Sequence, residues 1–163
     1  MVSSVKLKGE RARSDEDKLA RREAILDAAL SLWERLGYAA ITMSDLARAS
    51  GLAKGTLYLY FKTKEEVFLA ALERLLWDWF DFVDARLAQF GAASPAELAR
   101  ALSDALDGRE RMVRLLAILS AILEQNVAPA VGLRFKTVLV NRLARTGGAL
   151  ERLLPGLPQG EGA

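Results

Sequence analysis

Residues 41–65 read Ile41-Thr42-Met43-Ser44-Asp45-Leu46-Ala47-Arg48-Ala49-Ser50, Gly51-Leu52-Ala53, Lys54-Gly55-Thr56-Leu57-Tyr58-Leu59-Tyr60-Phe61, then Lys62-Thr63-Lys64-Glu65. Thr42, with Asp45 three residues on, has the spacing of a capping box, in which two side chains satisfy the orphan amides of a helix start. A short helix is expected over 43–50, with Leu46 and Ala47 facing inward. Gly51 stops it, since glycine enters the left-handed region at little cost. Leu52 and Ala53 turn the chain, and a second short helix is expected over 54–61. Leu57 and Phe61 lie four apart, so they share a face and go to the core, while Thr56, Leu59 and Tyr60 point elsewhere. Two short helices around a tight glycine turn make a helix-turn-helix pattern.

The flanks are helical as well. Upstream, Ile25, Ala28, Ala29, Leu32, Trp33 and Leu36 recur at helical spacing. With Ser14 and Asp17 as a start and Gly37 as a stop, this gives a helix over 16–36, preceded by a flexible basic arm over 1–15. Downstream, Thr63 with Glu66 is the strongest start signal in the chain. The long helix after it carries Val67, Phe68, Ala71, Leu72, Leu75, Leu76, Trp79 and Val83 to about residue 88. Trp77, Trp79, Phe80 and Phe82 cannot share one face, so this helix is apolar around most of its girth. Ser94, Pro95 and Glu97 start another helix, which ends near Asp107. Further helices are expected over 109–126, with Leu115 and Leu116 on one side, and over 129–154. No strand-like alternation and no repeat is present. The fold class is all-α, with about seven helices.

Composition limits the chemistry. The 163 residues contain no cysteine and no histidine, which excludes disulfides, thiolate metal sites, cysteine nucleophiles and any histidine base. No metal and no cofactor is expected, and an all-α enzyme is disfavoured because no acid–base pair sits on an otherwise apolar face. The longest uncharged stretch, Leu87 to Ala96, contains Gln89, Gly91 and Pro95, far from the roughly 20 apolar residues of a membrane span. The N-terminus lacks a signal peptide's apolar stretch, so a cytoplasmic protein without membrane contact is expected. Residues 1–64 hold 12 Lys and Arg against 8 Asp and Glu, whereas the remainder holds 11 against 13. A basic first part suits an anionic partner.

The run Ile41 to Ala47, then Gly51 to Phe61, then Thr63 to Glu65 closely resembles the DNA-binding region of the TetR family of transcriptional regulators. The preceding Arg22 to Gly37 resembles that family's first helix, and the likeness covers roughly residues 16–72. One departure is Ala53, which stands where the family often has serine; losing an N-cap costs ~1 kcal/mol. The resemblance implies a helix-turn-helix domain over 16–64, joined by the long helix to a helical ligand-binding and dimerisation domain over 65–163. By family position the contacts to double-stranded DNA are Thr42, Ser44, Lys54, Gly55, Thr56, Tyr58, Tyr60 and Lys64. The physical roles fit. Lys54 and Thr56 stand at the front of the second short helix, within reach of base edges. Gly55 has no side chain to obstruct approach, and Tyr58 and Tyr60 offer hydroxyls to phosphates. The start of the helix at Thr42 favours an anion, and Lys64 offers a phosphate a point charge.

The resemblance further implies a homodimeric repressor on a palindromic operator, released by a small-molecule effector; no effector-binding residues are legible. Family members usually continue for two more helices that form most of the dimer interface. The chain is therefore expected to be truncated or to dimerise through other surfaces. An alternative reading follows: a helical fragment that pairs with a full-length relative and blocks its DNA binding.

Overall fold

In the computed structural model the backbone is described for residues 3–91, 93–154 and 156, and the side chains for 15–91, 93–122, 125–154 and 156. The described residues form eight α-helices and no strand: α1 (Ser3–Leu36), α2 (Met43–Ala49), α3 (Lys54–Tyr60), α4 (Lys64–Leu87), α5 (Pro95–Asp104), α6 (Glu110–Ala117), α7 (Leu119–Glu124) and α8 (Pro129–Leu153). None of them is long and apolar enough to cross a membrane. The chain divides into two compact units, residues 1–71 and 72–163.

In the first unit Ile25, Leu26, Ala29, Leu30 and Trp33 of α1 are buried, as are Ile41, Leu46, Leu57, Phe61, Val67 and Phe68. Their spacing of three and four on α1 is the apolar stripe that the sequence shows. Gly37 and Gly51 stop α1 and α2 with φ of +73° and +67°, where a side chain would be strained. One boundary differs from the sequence reading. The helix expected to start beside Ser14 runs back to Ser3, so residues 3–15 of the expected flexible arm are helical backbone, and residues 1 and 2 lie outside the described residues. Lys, Leu, Glu, Arg and Ala dominate residues 5–13 and are good helix formers, with only Val5 and Gly9 opposed. The Ser14 side chain lies outside the described residues.

In the second unit α4 and α8 run parallel. Arg134 Nη2 donates to Glu73 Oε2 at 3.1 Å, and Arg142 Nη1 to Asp81 Oδ1 at 2.5 Å, each pair 61 residues apart. A constant offset, not a constant sum, means both helices advance together. Asp84 continues the ladder: it accepts the Thr146 hydroxyl at 2.7 Å and lies 3.0 Å from Arg145 Nε, whose N–H is not aligned for a hydrogen bond. Trp77 stacks on Phe135 with ring centroids 6.0 Å apart. At the far end of α4, Val83 and Leu87 pack with Leu98 and Ala105.

The single helix expected over 109–126 is two. Ile118 leaves helical geometry (φ −106°, ψ 9°), ending α6 and preceding α7. Its amide bonds to Leu115, a tighter i→i−3 closure. Met112, Leu115 and Ile122 are buried on one side, but Leu116, expected beside them, is exposed. α5 also stops earlier than read, at Asp104.

Candidate nucleic-acid interface

The helix-turn-helix is built by caps. At α2 the Thr42 hydroxyl accepts the Asp45 amide at 3.2 Å, and the Asp45 carboxylate accepts the Thr42 amide at 3.1 Å. The Thr42 hydroxyl also donates to Asp45 Oδ2 at 2.6 Å. Arg48 pairs with the same carboxylate. The Thr42 hydroxyl and amide hold the Asp45 carboxyl below its ordinary range, with help from Arg48. This geometry refines the sequence reading of Thr42. The anion expected at the start of α2 is already there, supplied by Asp45, so Thr42 acts first as a cap. Ser44 is exposed one residue into the helix.

α3 begins at Lys54 although Ala53 makes no side-chain cap. The Ala53 carbonyl accepts from Thr56 at 2.9 Å and from Leu57 at 3.1 Å, which suffices to start the helix where the sequence placed it. Leu57 is fully buried, and Phe61 nearly so. The rest of the helix surface is open: Lys54, Gly55, Tyr58 and Leu59 are exposed, and Thr56 and Tyr60 half-buried. Nothing lies within 4 Å of where a Cβ on Gly55 would stand. Five of the eight expected contact residues therefore sit on one short helix, Gly55 on its outward midline and Lys54, Thr56, Tyr58 and Tyr60 on the flanks.

Lys64 behaves differently. Its ammonium donates to the carbonyls of Ile41 at 3.1 Å and Tyr38 at 3.4 Å, and lies 4.7 Å from the centre of the Tyr38 ring. The Tyr38 hydroxyl donates to buried Glu65 at 3.1 Å, and its ring meets Phe68 edge-on at 5.2 Å. Burial, and then the neighbouring Glu65 carboxylate, push the Tyr38 phenol well above its ordinary range. These contacts tie the segment leading into α2 to the start of α4. That start has its own cap: the Thr63 hydroxyl accepts the Glu66 amide at 3.2 Å, and Glu66 reaches back to the Lys62 amide at 2.8 Å.

Four residues at this site are missing from the expected contacts. Tyr38 and Glu65 gave no signal, because their partnership spans 27 residues. Leu59 did give one: at about 100° per residue it stands about 160° from Leu57, on the outward side. Lys62 closes α3, donating from its ammonium to the Tyr58 carbonyl at 2.9 Å.

A capped short helix, a glycine turn and a second short helix with an exposed basic and aromatic side place the chain in the class of helix-turn-helix proteins. Comparison with known proteins narrows this. Residues 25–71 match the profile described as bacterial regulatory proteins, tetR family, and residues 73–163 match the tetracyclin repressor-like C-terminal domain. The chain belongs to the TetR family. It is 39% identical over 82 residues to the HTH-type transcriptional regulator BetI of Rhizobium meliloti, a match covering 50% of this chain and 39% of that protein. It is 38% identical over 78 residues to the HTH-type transcriptional repressor KstR of Rhodococcus jostii, covering 48% and 35%. These matches span about two fifths of the relatives' length. The fold is similar to that of the fatty acid degradation regulator FadR from Bacillus halodurans, with a TM-score of 0.57 at 24% identity, covering 81% of this chain and 67% of that one.

Proposed function

We propose that this chain is a DNA-binding transcriptional regulator that reads duplex DNA with the outward side of α3. The observation that carries the reading is that Gly55 is exposed opposite buried Leu57, with Lys54 and Tyr58 exposed on the flank beside it, within the stretch that matches the tetR profile. A helix so presented fits the major groove, where side chains reach base edges and phosphate contacts fix register. Thr56 and Tyr60 flank the groove floor, and Ser44 on α2 faces the backbone. Lys64 and Thr42 hold the two helices in place.

The regulator binds a palindromic operator as a homodimer, because one helix-turn-helix covers one half-site and specific binding needs two, about 34–36 Å apart. Leu133, Val140 and Leu143 are exposed apolar residues on α8 that suit a contact between copies. Repression is the favoured sense, in keeping with the repressor among its relatives. A small-molecule effector enters the second unit. A cleft of about 310 Å³ there is lined by Asp84, Leu87, Phe90, Arg145, Ala149 and Leu153, a size at the low end for ligand sites. An effector acts only by favouring one arrangement of the reading heads over another. The lever is α4, one continuous helix from Lys64; unchanged induction after crosslinking both its ends would remove that idea.

The test is selection of bound duplexes from a random library by the full chain at two salt concentrations. Recovery of an inverted repeat is expected. Recovery of no preferred sequence, with binding that vanishes as salt rises, would overturn specific recognition.

A further inference from the structure

Leu59 has no role in what precedes. It is 79% exposed, the most exposed large apolar side chain among the described residues. It contributes little to the core, which α3 serves through Leu57. Its position on the helix is telling. At about 100° per residue, Gly55 and Leu59 both stand about 160° from Leu57 and only about 40° from each other. They form the midline of the outward side, with Lys54 and Tyr58 on one flank and Thr56 and Tyr60 on the other. Gly55 offers open space one turn before Leu59. A helix with a notch at 55 can sit deep in a groove, and the next turn then presses an apolar side chain onto the groove floor. The only apolar group that base edges display there is the 5-methyl of thymine.

We infer that Leu59 is a specificity-determining residue that packs on the 5-methyl group of one thymine in each half-site, and that Gly55 admits the helix to the depth this contact needs. The inference rests on the DNA-reading proposal above and names a base preference that the proposal leaves open.

The test uses the full chain and the duplex recovered by selection. Each thymine is replaced in turn by uracil, which keeps every base-pairing and groove hydrogen bond and removes only the methyl. The wild type loses about fourfold in affinity at one symmetric position, the factor that corresponds to ~0.8 kcal/mol for one buried methyl-sized group. Leu59→Ala binds more weakly than wild type on thymine, does not distinguish thymine from uracil at that position, and keeps the wild-type salt slope because no charge is lost. Since Leu59 is exposed, the variant's helical circular dichroism remains that of the wild type. Two results overturn the inference. If wild type binds thymine and uracil duplexes equally at every position, the DNA reading stands and Leu59 is no methyl reader. If the sensitive position stays sensitive in Leu59→Ala, another residue reads it. Absence of any preferred duplex removes the DNA reading and this inference together.

Discussion

The two units are held together differently. In residues 1–71 the shape of the reading surface depends on contacts three or four residues apart, such as Thr42 with Asp45 and Thr63 with Glu66, plus one longer tie from Lys64 and Glu65 to the Tyr38 segment. In residues 72–163 the decisive contacts join α4 to α8 across 61 residues. Local caps fix where a helix starts, which is what a reading surface needs. A parallel ladder of acidic groups on one helix and arginines on the other fixes register, and a register can slip by whole turns. On the function proposed above, the contrast separates the unit that reads DNA from the unit that takes the effector.

The sharpest way to break this contrast is to damage each core once. Leu57→Ala empties a fully buried site beneath α3 and is expected to cost about 2–5 kcal/mol. Chemical denaturation of the variant should show that loss; a cost below about 1 kcal/mol would mean that α3 is not anchored through Leu57. The next effect is smaller and belongs to the ladder. Arg134→Ala leaves the buried Glu73 carboxylate without its cation. Because Arg134 is itself mostly exposed, water replaces part of the lost interaction, and about 1–3 kcal/mol is expected. The loss should accelerate amide exchange in α4 beyond residue 72 and in α8 while leaving α2 and α3 unchanged. Equal acceleration in α3 would erase the distinction between the units.

Acid should loosen a cap in each unit. Asp45 is depressed by hydrogen bonds from Thr42, then by Arg48; Glu97 is depressed by the backbone and side-chain hydrogen bonds of Ser94, then by Arg100. A carboxyl with a folded-state pKa below its unfolded value stabilises fully above the unfolded value and loses that stabilisation as pH falls through the folded one. Both caps therefore weaken below about pH 4. The raised Tyr38 phenol has the opposite sign, and its contribution fades as pH rises past 10.0. Asp45→Asn should flatten the acid limb of the pH–stability curve, and Tyr38→Phe the alkaline one; unchanged limbs would refute the assignments.

The smallest expected effect on stability is Gly55→Ala. The site is open and its backbone is ordinary helix, so the substitution leaves the fold unchanged or stabilises it by up to about 1 kcal/mol. Affinity for the selected duplex should nevertheless fall. A variant that is more stable and binds as tightly as wild type would show that close approach at Gly55 is unnecessary.

The sequence is most informative where interactions are local. The caps at Thr42 and Ser94, the buried pair Leu57 and Phe61, and the ends of α4 and α8 all follow from residue type at spacings of three to four. Ala53 shows the same physics in reverse: a missing cap did not delay α3, because the Ala53 carbonyl still accepts two amides. What failed to show depends on distance along the chain. Nothing in the neighbourhood of Lys64 says that its ammonium turns to the carbonyls of Tyr38 and Ile41 instead of outward. Nothing local pairs Asp81 with Arg142. The break at Ile118 is also silent, since the residues around it are good helix formers. Leu59 was legible from helical angle alone, but its apolar character concealed a surface role.

The most direct test of the account compares two lysines on one selected duplex. Affinity is measured across a range of salt for wild type, Lys54→Gln and Lys64→Gln. Lys54→Gln is expected to lower the slope of log affinity against log salt by about 0.9, because the cation that Lys54 brings into the groove neutralises one phosphate's worth of DNA charge. Lys64→Gln should weaken binding and stability yet leave the slope unchanged, since its charge is committed within the protein. A lowered slope for Lys64→Gln, with Lys54→Gln unchanged, would contradict this and put a phosphate contact at the start of α4.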